Sequence, residues 1–107
     1  MATSFKARRI HEIARALSDP RRFEILRRIA AQSCAACSDL REAFPITPAT
    51  LSHHLKELEA CGLIETARRG KFVDASFRLA VWNEYLDELK KIGSPLESGR
   101  KPSSSVR

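Results

Sequence analysis

Residues 47–64 read "TPATLSHHLKELEACGLI". Thr47 offers a side-chain oxygen to a helix N-terminus. Pro48 follows it with a pre-set φ and no N–H to leave unpaired, so a helix is expected to start here. Leu51, Leu55 and Leu58 recur at steps of four and three and form one apolar face. Gly62 stands where a left-handed residue is wanted to leave the helix. At about 100° per residue, the opposite face carries Ala49, Ser52, His53, Lys56 and Ala60. That face is small at its start, polar and slightly basic. On an isolated helix it would be ordinary solvated surface, so its neighbours decide what it is for.

Upstream, Phe5, Ile10, Ile13 and Leu17 form a first amphipathic stripe. Asp19-Pro20 repeats the cap-then-proline signal and opens a second helix, with Phe23, Leu26, Ile29 and Ala30 at helical spacing. The segment "CSDLREAF" predicts a short third helix, with Cys37, Leu40 and Phe44 on one face. Pro45 ends it, and a tight connection leads into the fourth helix at Thr47. Downstream the period changes to two. "LIETA" and "FVDASF" flank "RRGK", which predicts a two-strand ribbon with a glycine and three positive charges at its tip. Last, "AVWNEYLDELKKI" puts Trp82, Tyr85, Leu86, Leu89 and Ile92 on one face of a fifth helix. The order is α-α-α-α-β-β-α, mainly helical with a small β-hairpin. A short helix, a tight turn and a longer helix with a polar outer face make a helix-turn-helix. The basic-tipped ribbon then fits a wing. Residues 1–92 are expected to form this single winged helix-turn-helix domain. Residues 93–107, "GSPLESGRKPSSSVR", have little to bury and are expected to be a disordered tail.

The composition narrows the partner. Nineteen basic and thirteen acidic residues give a net charge of +6, which favours a polyanion. Ser52 and His53 are suited to base edges in a DNA groove, and Lys56 to a phosphate. RNA recognition by stacking would need an aromatic ribbon, which the strands lack. No run approaches the roughly 18 apolar residues of a membrane span. The first residues, "MATSFKARRIHEIARAL", are too charged for a signal peptide. A cytoplasmic protein is expected, in which three cysteines do not make a disulfide framework. No phosphate-cradling glycine loop, H-E-x-x-H or G-x-S-x-G occurs, so an enzyme is not expected. The rival reading is a winged helix used for protein–protein contact. It would call for an apolar outer face on residues 49–60 and a neutral wing.

His53 and His54 are neighbours on a helix and point about 100° apart, so they cannot share one ion as an i, i+4 pair does. His53 is expected to face outward with Lys56. His54 flanks the leucine stripe, where a hydrogen-bonded histidine at the edge of the core is the usual finding.

"ALSDPRRFEILRRIA", "SDLREAF", "TPATLSHHLKELEACGLI" and "RRGKFVDASFRL", in this order, resemble the ArsR/SmtB family of bacterial winged-helix repressors. The match runs from about residue 10 to residue 92. The resemblance implies a homodimer that binds an inverted-repeat, double-stranded DNA operator and leaves it when an inducer binds. It implies DNA contact by Thr47, Ala49, Thr50, Ser52, His53 and Lys56 of the recognition helix, and by Arg68, Arg69 and Lys71 of the wing. One departure is the turn "FPIT", where the family often carries a glycine and Pro45 stiffens the chain instead. For the dimer, the surplus apolar faces of the first and last helices nominate Ile10, Ile13, Leu17, Trp82, Tyr85, Leu86 and Leu89.

Cys34 and Cys37 form a C-x-x-C just ahead of the third helix. Thiolate-sensing relatives carry C-x-C against the aspartate, whereas Ser38 intervenes here. Cys37 shares a face with Leu40 and Phe44, as a small core residue would. Three roles stay open: core filler, a trivalent arsenic or antimony site using Cys34, Cys37 and a further ligand, or a redox switch. Cys61, beside Gly62, is expected to fill the core. The last helix offers Asp87 and Glu88 without a histidine, which does not favour zinc, and His11 stands alone. No cofactor is expected to be required.

Overall fold

The computed structural model describes the backbone of residues 2–93 and the side chains of residues 8–93. The expected tail from residue 94 on, and the side chain of Phe5, lie outside the described residues. Five helices and three strands follow in the order α1 (Ala2–Leu17), α2 (Pro20–Gln32), β1 (Cys34–Ala36), α3 (Cys37–Ala43), α4 (Pro48–Ala60), β2 (Ile64–Arg69), β3 (Phe72–Phe77) and α5 (Leu79–Gly93). Gly93, assigned above to the tail, is the last residue of α5.

Both cap-then-proline signals are realised. Asp19 accepts the Arg22 backbone N–H at 3.0 Å, and Thr47 Oγ1 accepts that of Thr50 at 3.1 Å, each satisfying one orphan donor of a first helical turn. Gly62 leaves α4 at φ +89°, and the Leu63 N–H closes back onto the Leu58 carbonyl at 3.1 Å. An added Cβ at Gly62 would lie 3.0 Å from the Arg9 guanidinium, the mobile end of a long side chain, so the positive φ is what calls for glycine.

The wing has three strands instead of two, antiparallel in the order β1-β3-β2. Ser33, at φ +67°, turns the chain out of α2 into β1, and the Phe77 N–H donates to its carbonyl at 2.8 Å. Cys34, Ala35 and Ala36 then lie opposite Ser76, Ala75 and Asp74. This strand is too short to show an alternating pattern, and pairing with β3 creates it.

Ile13, Ile25, Ile29, Leu40, Leu58, Leu63 and Ile64 are the large, fully buried side chains around which the helices and the sheet pack. Two expectations change. Phe23 is exposed, because Ile25 takes the inward place beside Leu26 and Ile29. Ile13 is 0% exposed within one chain, so it packs in that chain's core and is not part of a surplus apolar surface. In α5 only Val81 is fully buried. Trp82 is half-buried, its ring 6.2 Å from Phe77 and 5.9 Å from Tyr85. Leu89 stays 39% and Ile92 75% exposed, so the outer stripe of α5 has no cover among the described residues.

Candidate nucleic-acid interface

The leucine stripe orients α4. Leu51, Leu55 and Leu58 are buried, which leaves Thr47, Ala49, Thr50, Ser52, His53 and Lys56 exposed on one continuous surface. The two threonine hydroxyls at its start engage each other at 2.9 Å as part of the cap. Ser52, His53 and Lys56 therefore carry the uncommitted polar groups of this face.

The two histidines separate as expected. His53 is exposed, whereas His54 is 6% exposed. The Arg22 Nε–H donates to His54 Nδ1 at 3.3 Å, and Arg22 Nη1 donates to the Ala16 carbonyl at 3.2 Å. One guanidinium thus joins α1, α2 and α4 behind the exposed face. Burial pulls the His54 pKa below its usual 6.5, with the Asp19 carboxylate opposing and Arg22 assisting, so the ring is held neutral as an acceptor.

The wing tip exposes Arg68, Arg69, Gly70 and Lys71. Gly70 turns it at φ +62°. The three cations are not alike. Arg69 Nε donates to Asp74 Oδ2 at 2.6 Å and its Nη2 to Oδ1 at 3.3 Å. That bond, with the charge of Arg69, keeps the Asp74 carboxyl below its usual range. Arg68 and Lys71, like Lys56, have no such partner among the described residues. Sequence reasoning missed this pairing, although an acid facing arginines across a hairpin was there to be read.

Between α3, α4 and the wing runs a groove bordered by Arg41, Ser52, Lys56, Glu59, Thr66 and Arg68, with Cys37, Leu51, Leu55 and Val73 also lining it. Three cations thus gather on one side of the molecule with the outer face of α4. Glu59 is the acid among them. Its Oε1 accepts the Thr66 hydroxyl at 2.9 Å and its Oε2 accepts the Thr66 N–H at 3.3 Å.

The cysteines divide by burial. Cys34 is exposed, its sulfur accepting from the Ser76 hydroxyl at 3.5 Å. Cys37 is half-buried against the core, and burial first, then Asp74, pushes its thiol pKa up while Arg41 opposes. Cys61 is buried, donates to the Leu58 carbonyl at 3.3 Å, and is also pushed up by burial. Among the described residues, no three of His, Cys, Asp and Glu come together as a metal-ligand group. Cys34 and Cys37 alone therefore fall one donor short of a three-coordinate arsenic or antimony site. On the opposite side, Ile10, Leu17, Trp82, Tyr85 and Leu86 are half-buried and Leu89 exposed.

A helix-turn-helix of α3 and α4, followed by a three-strand sheet whose basic hairpin stands beside α4, defines a winged helix-turn-helix protein. A family model described as a helix-turn-helix domain matches residues 17–67. A solved structure of an ArsR-like transcriptional regulator from Rhodococcus sp. RHA1 superposes with a TM-score of 0.75 at 26% identity, covering 92% of this chain and 89% of that one. A homodimeric winged helix-turn-helix DNA-binding domain from Mycobacterium bovis shares the fold, with a TM-score of 0.64 at 24% identity, covering 94% of this chain and 90% of that one. Among curated proteins, the arsenical resistance operon repressor of Staphylococcus xylosus is 43% identical over 58 residues, 54% of this chain. The chain spans 55% of the length of that relative. The chain is thus similar in fold to an ArsR-like transcriptional regulator and, over about half of its length, in sequence to an arsenical resistance operon repressor. These relatives are named as regulators and a repressor, in line with the expectation that the chain is not an enzyme.

Proposed function

We propose that the protein is a cytoplasmic transcriptional repressor, which as a homodimer binds an inverted-repeat DNA operator and is released by an inducer. The observation that carries this reading is the shared groove: the exposed α4 face and the wing hairpin border it together, with Arg41, Lys56 and Arg68 on its rim. Ser52 and His53 stand ready for base edges, and Lys56, Arg68 and Lys71 for phosphates. A winged helix devoted to protein–protein contact would present an apolar face there, which the exposed residues of α4 do not. Dimerisation uses the outer stripe of α1 and α5, with Ile10, Leu17, Trp82, Tyr85, Leu86 and Leu89 at the contact and Ile13 behind it. The homodimeric structural relative supports dimerisation as such.

No step of DNA contact calls for a cofactor. A second reading concerns release: trivalent arsenic or antimony binds Cys34 and Cys37. It is favoured by the exposed Cys34 thiol three residues from Cys37, which lines the groove, and by the arsenical repressor among the relatives. The third donor it needs must come from outside the group these residues form within one chain.

The test measures operator and random-DNA affinity at two salt concentrations. Lys56→Ala should weaken both about equally and lower the salt slope by about one, as loss of one phosphate contact does. His53→Ala should cost about 1–3 kcal/mol on the operator and much less on random DNA. Small and equal effects from both would show that this face does not touch DNA. Arsenite added to the wild-type complex and to a Cys34→Ser variant tests the second reading, which fails if both stay bound or both are released.

A further inference from the structure

We infer that Glu59 is a positioning residue that locks the wing to the recognition helix, so that both meet DNA at one fixed angle; this rests on the DNA-binding reading above. β2 is one of the two edge strands of the sheet. An edge strand has backbone donors that no neighbouring strand can use. The Thr66 N–H is one of these, and Glu59 takes it at 3.3 Å while taking the Thr66 hydroxyl at 2.9 Å. Both carboxylate oxygens, on the last turn of α4, are thereby committed to one residue of the wing.

The place of this latch along the hairpin gives it leverage. The root of the sheet is held already, by the Phe77 N–H on the Ser33 carbonyl at 2.8 Å and the Arg78 N–H on the Leu63 carbonyl at 2.9 Å. The Arg69–Asp74 pair is internal to the hairpin and ties it to nothing else. Among the described residues, Thr66 is therefore the outermost point at which a side-chain hydrogen bond joins the wing to α4. Beyond it the strand runs four residues to Gly70, about 13 Å at the usual rise. A small rotation at Thr66 becomes a large displacement of Arg68 and Lys71. Lys56, one turn before Glu59, lines the same groove as Arg68. Their spacing is the quantity the latch controls. The cost is a negative charge beside a polyanion site, which places Glu59 against its electrostatic interest there. A geometric role accounts for that placement.

The test uses the full chain with Glu59→Ala and Glu59→Gln, each alone and combined with Arg68→Ala. Glutamine keeps both bonds, since its carbonyl accepts the Thr66 N–H and its amide donates to the threonine oxygen, while the charge is lost. Glu59→Gln should therefore bind DNA at least as tightly as wild type. It should also retain the full Arg68→Ala penalty. In Glu59→Ala the Arg68→Ala penalty should shrink by about threefold or more, the coupling expected of residues that act through one another. Without DNA, amide exchange at Thr66 should accelerate in Glu59→Ala and stay slow in Glu59→Gln. An undiminished Arg68→Ala penalty in Glu59→Ala overturns the latch, as does unchanged Thr66 exchange. Failure of the wild type to bind duplex DNA overturns instead the reading on which the latch rests.

Discussion

The His54→Ala variant probes the architecture behind the recognition face. The imidazole is 6% exposed and accepts from Arg22, whose guanidinium also holds the Ala16 carbonyl. Large-to-small changes at buried sites cost about 2–5 kcal/mol. Losing one hydrogen bond adds about 1 kcal/mol. Arg22 is only half-buried, however, so its freed Nε–H can turn to water and the core can partly close. The lower end of the range applies, about 2–3 kcal/mol in all. For a domain of this size, that corresponds to a fall in Tm of roughly 10–20 °C.

The pH dependence gives a second, sharper reading. Burial lowers the folded-state pKa of His54 below 6.5. The unfolded chain then takes up the proton first, so this contribution is complete above pH 6.5 and declines as pH falls below it toward the folded value. The alanine variant has no such loss. Thermal melts at pH 7.5 and 5.5 should show the gap between wild type and variant narrowing at the lower pH. Below its melting range, at pH 7.5, the variant should keep near wild-type DNA affinity. A melt within about 2 °C of wild type, or a gap that does not narrow, refutes the reasoning. A stable variant that loses operator binding would place His54 at the DNA instead.

Three further outcomes follow from the structure. Cys34→Ser should leave folding and DNA affinity unchanged, whereas Cys37→Ser should destabilise by about 1 kcal/mol by putting a hydroxyl against the core, as read from denaturant midpoints; equal midpoints would refute the division. Leu86→Lys should convert a dimer into a 12.0 kDa monomer in sedimentation at micromolar concentration, and a wild type that sediments as a monomer overturns the α1–α5 contact. Asp74→Asn should release Arg69 to the phosphates, tightening binding on all DNA alike and steepening the salt slope by about one unit. An unchanged slope would mean that Arg69 never reaches DNA.

What could be read from the sequence was local. Asp19-Pro20 and Thr47-Pro48 mark the starts of α2 and α4 because a cap and its proline act within one turn, and the Leu51-Leu55-Leu58 spacing orients α4 without reference to anything distant. The tertiary features were not legible in the same way. β1 has three residues, Cys34–Ala36, and no pattern of its own; it exists because β3 is there to pair with it. Phe23 and Ile25 both lie near the apolar arc of α2, and which one turns inward depends on what packs against that helix. Ile13 looked like surplus apolar surface only because the sequence does not show how deeply α1 sits against α2 and α4. Arg22 and His54 are 32 positions apart. Within "DPRRFE", Arg22 reads as one more solvated cation.

The arrangement of charge also sharpens the distinction between the two surfaces. The net charge of +6 is a property of the whole chain and says little by itself. Several cations are matched close at hand: Arg21 by Glu24, Lys91 by Glu88 and Arg69 by Asp74. At the groove the balance differs, since Arg41, Lys56 and Arg68 line it and the lone acid, Glu59, has both oxygens turned to Thr66. Three cations without an ion pair among the described residues thus stand where α4 and the wing converge, a placement that steers a polyanion. The exposed stripe of α5 has the opposite character, with Leu89 and Ile92 open to solvent. Apolar surface gains free energy by meeting more apolar surface, and a second copy of the same helix supplies it with self-complementary geometry. In the reading proposed above, one face would meet a phosphate backbone and the other a twin, and pairing through α5 would leave the basic face of each copy free to take one half of an inverted repeat.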